Sequence, residues 1–171
     1  MIRTTRLYLR ELTPNDSKAY YSISSKSDDV LYKYAVFFST KSEKNAKEFI
    51  FEYYNSSTSL LYGVFLSDDT LVGAILLNQN FYNRNYINSI EVSYFIGKSY
   101  RNNGYITEAL QEIIKYYSGK KLFLESLKFS VKKGNISSIR VLEKIGCEFY
   151  KKSEYGEYLR YKKHLTRETK V

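Results

Sequence analysis

Tryptophan is absent from this chain of 171 residues, and cysteine, proline, methionine and histidine each occur once. One cysteine excludes an internal disulfide and fits a reducing compartment. Cys147 has no adjacent His or Lys to activate it, so it reads as a small buried hydrophobe rather than a nucleophile. With His164 the only histidine and no Cys or His cluster, a metal site is not expected. The single proline, Pro14, leaves no proline-rich linker, and no segment repeats, so residues 1–171 are read as one domain. No apolar run approaches the roughly 20 residues that cross a bilayer. The start, MIRTTRLYLRE, lacks the apolar core of a secretory signal, and a cytoplasmic location without membrane contact is expected.

Hydrophobic residues at 43% and charged residues at 26% are ordinary for a globular protein, so disorder is not indicated. Most of the 19 tyrosine and 10 phenylalanine rings are expected half-buried, with tyrosine hydroxyls reaching water. The excess of 27 basic over 18 acidic residues gives a net charge of +9. Such a charge concentrates anions of any kind: nucleic acid, acidic protein or a polyphosphate cofactor. The basic residues come in scattered pairs such as Lys120-Lys121, Lys132-Lys133 and Lys151-Lys152. They read as solvated surface, and nucleic acid is not the expected partner.

Changes of period along the chain give the elements. Residues 6–12 alternate as a strand and stop at Thr13-Pro14-Asn15-Asp16, where Thr13 caps a helix, Pro14 suits its first turn and Asp16 completes a capping box. That helix runs through Ala19, Tyr20 and Ile23. Residues 30–39 are aromatic and poorly periodic, and read as a loop or short helix. A second capping box, Thr40-Lys-Ser-Glu43, precedes the stripe Ala46, Phe49, Ile50, Tyr53 and Tyr54. Residues 62–66 and 71–77 make a hairpin about Asp68-Asp69, and a polar, aromatic linker over 78–88 follows. After the central strand and helix come a strand at 126–131, a helix at 135–146, and strands at 148–153 and 157–164. This order describes an α/β (α+β) domain, a mixed and mostly antiparallel sheet of about seven strands covered by about four helices.

The chain is organised around residues 90–117. Ile90, Val92, Tyr94 and Ile96 share one face of a strand, and Glu91, Ser93 and Phe95 the other. Ile106, Ala109, Leu110, Ile113, Ile114 and Tyr117 then form one apolar stripe of a helix. Between them lies Arg101-Asn-Asn-Gly104-Tyr-Ile106, where Gly104 lets the backbone turn tightly and bring its amides close to a ligand. A strand feeding this loop into a helix start directs unpaired N–H groups and the positive end of the helix dipole at one point, which makes a phosphate site. The three glycines of the dinucleotide fingerprint and the Gly-Lys-Ser/Thr of the P-loop are both missing.

This stretch resembles the pyrophosphate-binding motif of the GNAT superfamily of N-acetyltransferases, Gln/Arg-x-x-Gly-x-Gly/Ala, with Arg101, Gly104 and Ile106 at its fixed positions. Ile106 departs from the pattern, and its side chain either crowds the cofactor or joins the core as the first residue of the helix stripe. Residues 135–147 resemble a second motif of that family, Asn-x-x-Ser/Ala-x-x-x-x-Glu-Lys-x-Gly-Phe, through Asn135, Ser138, Glu143, Lys144 and Gly146, with Cys147 in place of Phe. Residues 5–12 with Asp16 look like the opening of the RimJ/RimL-like branch, the ribosomal-protein N-acetyltransferases and their relatives. Glu91-Val-Ser-Tyr94 resembles that branch's Glu-x-Gly-Tyr.

The resemblance implies direct acetyl transfer from acetyl-CoA to an amine in a ternary complex, with no metal. It lays the pantetheine arm between splayed strands 90–97 and 126–131, against the backbone of Tyr94, Phe95, Ile96 and Gly97, with the Phe95 amide on the thioester carbonyl. The pyrophosphate falls on the amides of Asn102, Asn103, Gly104, Tyr105 and Ile106, with charge from Arg101. Asn135 and Ser138 border the arm. Glu91 is the candidate base. The family's frequent acid tyrosine is replaced by Leu142, which leaves Ser138 as the substitute and Tyr94 as the alternative. For the acceptor, the net charge disfavours polyamines, while a protein N-terminus and small amines such as aminosugars stay open. A homodimer is likewise open. The competing class is a catalytically degenerate module of the same fold that binds CoA or nucleic acid.

Overall fold

The computed structural model describes residues 1–25, 28–79, 89–119 and 124–165. Eight strands form one mixed sheet. In it β1 (Ile2–Arg3), β2 (Leu7–Glu11), β3 (Ser59–Leu66), β4 (Leu71–Asn78) and β5 (Ser89–Ile96) run antiparallel, each to the next. The parallel partner of β5 is β6 (Ser126–Lys132), and two antiparallel strands complete the far edge, β7 (Glu148–Lys152) outermost and β8 (Tyr158–His164) inside it. A parallel step cannot be made by a tight turn, and the crossover is supplied by helix α4 (Tyr105–Ser118).

Side-chain alternation decides what covers each face. On β5, Ile90 and Val92 are buried with Ala109, Leu110 and Ile113 of α4, whereas Phe95 is buried with Tyr20 and Phe38 on the other side. That second side carries α1 (Ser17–Ser24), α2 (Asp29–Ala35) and α3 (Glu43–Tyr54), while α5 (Ile136–Lys144) joins α4. Covered on both faces, β4 is buried at every residue but its last. Ile106 joins the α4-side core as the first buried residue of its helix, 8% exposed.

The α/β architecture expected from sequence is the one observed, with small differences in count. The additions are the two-residue β1 and the helix α2, which occupies most of the stretch read as loop or short helix. The linker expected at 78–88 falls, from residue 80 on, outside the described residues. The first capping box is present, with the Thr13 N–H donating to Asp16 Oδ2 at 2.8 Å. The second is corrected by two residues: Ser42, not Thr40, caps α3, accepting from the Asn45 N–H at 3.1 Å. Thr40 is held elsewhere, bridged to Ser25 and hydrogen-bonded through its hydroxyl to Ser24 at 2.7 Å.

One glycine in the sheet is there for lack of room. A Cβ on Gly73 would lie 2.5 Å from Phe95 O and 3.3 Å from Ile96 Cα, so the ends of β4 and β5 would have to move apart. Gly73→Ala is expected to cost about 1–3 kcal/mol, the usual scale of overpacking, and to lower Tm in thermal unfolding. The control is Gly119→Ala, at an ordinary helical φ of −77° with no heavy atom nearer than 3.5 Å, which should be neutral or slightly stabilising.

Candidate active site

Strands β5 and β6 pair only from Ser89 with Ser126 to Val92 with Phe129. Beyond that point β5 continues along β4 to Ile96 and β6 continues along β8 to Lys132, so the two part and leave a wedge between them. The Gly97 N–H donates to Val72 O at 2.8 Å. Backbone alternation then turns the N–H and C=O of Phe95 and Ser93 toward β4, and those of Tyr94 and Ile96 into the wedge. The Phe95 amide, expected to face the gap, therefore belongs to the β4 ladder. Alternation of side chains shows the faces of a strand but not which neighbour its amides serve.

After a 3-10 turn at Lys98–Tyr100 the chain passes through Asn102 (φ 64°) and Gly104 (φ 76°), both left-handed, and enters α4. No amide from Asn102 to Thr107 donates a hydrogen bond among the described residues, so the first turn of α4 presents them together with its positive dipole end. Arg6 holds this loop from outside. Its guanidinium donates to Asn103 O at 3.1 Å and to Glu108 Oε2 at 2.8 Å, and lies 4.9 Å over the Tyr105 ring. Arg101 holds it from inside through an ion pair with buried Asp28, whose carboxylate also accepts from the Val30 and Leu31 amides at the start of α2. Its charge is thus committed to Asp28 rather than free for a ligand.

Burial pushes the Glu108 carboxyl up, but hydrogen bonds from the Thr4 hydroxyl and from the Arg6 amide and guanidinium outweigh it and hold its pKa below the ordinary 4.5. A carboxyl depressed on folding stabilises above its unfolded pKa and loses that contribution as pH falls through the folded one. The Tm advantage of the wild type over Glu108→Gln should therefore be full near neutral pH and shrink as pH drops below about 4.5, read by thermal unfolding across pH.

Two cavities open along the wedge. The larger, of about 360 Å³, is walled by Phe95, Ile96 and the loop over 101–107, by Val30 and Leu31 of α2, and by Arg140, Val141 and Lys144 of α5. The smaller, of about 160 Å³, lies between Ser93 on β5, Phe129, Ser130 and Lys132 on β6, and the aromatic pair Phe37 and Phe38. Tyr34, Ala35, Tyr94, Asn135 and Ser138 wall both, so the cavities meet there. Helix α2 roofs the junction, tethered by Asp28 at one end and, at the other, by the Tyr34 hydroxyl donating to Gly134 O at 3.3 Å.

At the junction the Tyr94 hydroxyl donates to Ser138 O at 3.4 Å, and burial raises its pKa so that it stays protonated. Asn135 Oδ1 caps α5, accepting from Ser138 N at 3.3 Å and Ser137 Oγ at 2.9 Å; its side-chain NH₂ has no partner among the described residues. The Ser138 side chain hydrogen-bonds the Tyr94 hydroxyl. Leu142 is fully buried in the core and walls neither cavity. Burial pushes the Cys147 thiol up to about 12, as suits a packing residue.

Of the residues expected at the site, Tyr94, Phe95, Ile96, Arg101, Asn102, Gly104, Ile106, Asn135 and Ser138 border the cavities. Gly97, Asn103 and Tyr105 do not, the last two because Arg6 engages them from the far side. Glu91 shares a strand face with Ser93 but walls neither cavity; its carboxylate lies 3.6 Å from Arg160 Nη1. Sequence reasoning missed Arg140 and Lys144. Their spacing of four on the face of α5 away from Leu142 was the available signal. It also missed the aromatic wall from Tyr34, Phe37 and Phe38.

The sheet thus opens between two parallel strands onto unbonded amides, beside a second cavity that meets the first. Residues 6–148 match the Acetyltransferase (GNAT) domain family, and the chain belongs to it. Members of that family draw acetyl from acetyl-CoA. The chain is 30% identical over 154 residues to the uncharacterized N-acetyltransferase YnaD of Bacillus subtilis (strain 168), covering 88% of this chain and 86% of that protein. It is similar in structure to a GNAT-family acetyltransferase from Bacillus anthracis, with a TM-score of 0.76 at 25% identity over 98% of both chains. It shares its fold with RimL, a ribosomal L7/L12 α-N-protein acetyltransferase solved with coenzyme A, at a TM-score of 0.81 and 15% identity over 96% and 97% of the two chains. No helix among the described residues is long and apolar enough to cross a membrane.

Proposed function

We propose that this chain moves acetyl directly from acetyl-CoA to a primary amine, a protein N-terminus or a small-molecule amine, in a ternary complex. Residues 1–171 act in this reading as one catalytic domain of the RimJ/RimL-like branch, in the cytoplasm and without a metal. The observation that carries it is the meeting of two cavities at Tyr94, Asn135 and Ser138, where β5 and β6 part.

The residues of the larger cavity fit the donor. Unbonded amides from Asn102 to Ile106 suit its diphosphate, with Arg140 and Lys144 adding charge where Arg101 does not. The wedge-facing groups of Tyr94 and Ile96 suit the amides of its arm, as does the NH₂ of Asn135. A volume of about 360 Å³ lies within the usual range of small-molecule sites. Bound there, acetyl-CoA supplies an activated acetyl thioester.

The Tyr94 or Ile96 amide polarises the thioester carbonyl in place of the Phe95 amide. Ser138 returns a proton to the departing thiolate, with Tyr94 as the second donor at the junction. Glu91 takes the acceptor's proton through water, since its carboxylate stands outside the walls of the smaller cavity. Arg101 is a positioning residue that fixes the phosphate loop to α2 through Asp28. Steady-state thiol release from acetyl-CoA with a panel of primary amines and N-terminal peptides should exceed the amine-free background. Flat release accompanied by salt-dependent RNA binding would overturn the reading in favour of a binding module.

A further inference from the structure

The smaller cavity has a chemical bias of its own. Its walls combine the rings of Tyr34, Phe37, Phe38, Tyr94 and Phe129 with the polar groups of Ser93, Ser130, Asn135 and Ser138. Lys132 is the one charged residue among the described residues that line it, and no carboxylate does. Lys132 forms no ion pair among the described residues, and Glu91, on the neighbouring strand, is engaged by Arg160. The Lys132 carbonyl accepts from the Asn135 N–H at 3.0 Å, which fixes this end of β6 beside a residue common to both cavities. The volume of about 160 Å³ is close to the roughly 150 Å³ apolar cavity that accommodates benzene.

From these observations we infer that the acceptor is a small amine with a carboxylate on an apolar or aromatic body, and that Lys132 selects it. The inference rests on the acetyltransferase reading above and narrows it. An ammonium group desolvated in this cavity beyond the reacting one finds no carboxylate among the described walls and meets the charge of Lys132, so polyamines are rejected. A carboxylate next to the reacting amine exchanges its water for a charge-assisted hydrogen bond from the lysine, while the ring or alkyl body fills the aromatic walls.

The test compares kcat/KM at saturating acetyl-CoA for phenylalanine, phenethylamine, spermidine and a short peptide with an acidic second residue. The proteins are the wild type, Lys132→Ala and Lys132→Arg. The wild type should favour phenylalanine over phenethylamine and spermidine by roughly tenfold to a hundredfold, the scale of one charged hydrogen bond. Lys132→Ala should collapse that ratio mainly through the KM of phenylalanine, and Lys132→Arg should recover most of it. Equal use of phenethylamine or spermidine by the wild type, or a preference that survives Lys132→Ala, overturns the inference while leaving acetyl transfer standing. Preference for the acidic peptide over phenylalanine overturns the small-acceptor assignment. Turnover of no amine by protein that binds acetyl-CoA overturns the acetyltransferase reading itself, and the inference with it.

Discussion

Gly104→Val is expected to raise the KM for acetyl-CoA roughly tenfold to a hundredfold while leaving the KM for the amine nearly unchanged. Gly104 sits at φ 76°, where a β-branched residue is strongly disfavoured. Space is not the obstacle, because the nearest atom to a Cβ there is Arg6 Nη2 at 3.6 Å. The valine would relieve its strain by rotating the backbone, and the amides of Tyr105 and Ile106 would turn with it. Losing one charge-assisted hydrogen bond to a phosphate costs about 1.5–3 kcal/mol, which at 1.4 kcal/mol per tenfold sets the size of the effect. Gly156→Val is the matched control. It has φ 70°, no heavy atom within 4 Å of the added Cβ, and a place in the turn between β7 and β8. It should lose comparable stability, about 1–2 kcal/mol, with no change in either KM. An unchanged KM for acetyl-CoA in well-folded Gly104→Val would place the diphosphate elsewhere.

The parts of the fold that could be read from sequence are those in which one periodicity governs a whole element. Residues 90–93 alternate because α4 buries Ile90 and Val92 on one face of β5 while Glu91 and Ser93 on the other are only half-buried, and 106–117 hold one stripe because α4 packs along one side of the sheet. Helix α2 reads only as a loop or short helix because its residues serve three surroundings within seven positions: Leu31 is buried, Tyr34 and Ala35 wall the cavities, and Tyr32 is exposed. The tight turn into α4 was legible from Gly104, yet the partner of Arg101 was not, since Asp28 lies 73 residues away along the chain. The direction of the Phe95 amide depends on register with β4, a tertiary property that the side-chain pattern of one strand does not contain. The same holds for the smaller cavity, assembled from Ser93, Lys132 and the aromatic segment before α3.

Glu91→Gln should lower kcat about a hundredfold or more, the lower end of what a positioned general base contributes. Glu91 is the last outward-facing residue of β5 before the strands part, and the next side chain on its face, Ser93, walls the smaller cavity. The glutamine keeps the shape and can accept a hydrogen bond, but it cannot take a proton from an ammonium. Stability should hardly move, because the pair with Arg160 leaves 36% and 32% of the two side chains exposed, and such pairs contribute about 0–1 kcal/mol. The KM for acetyl-CoA should stay close to the wild-type value, since Glu91 does not wall the larger cavity. The basicity of the acceptor separates the chemical role from a structural one. In Glu91→Gln the remaining rate depends on the free-amine fraction of the acceptor, so a weakly basic amine should recover more of the lost kcat than a strongly basic one. A kcat within about twofold of wild type for weakly and strongly basic acceptors alike would make Glu91 a solvated strand residue. The acceptor would then reach the thioester already neutral, and only the protonation of the thiolate by Ser138 or Tyr94 would remain for the protein to catalyse.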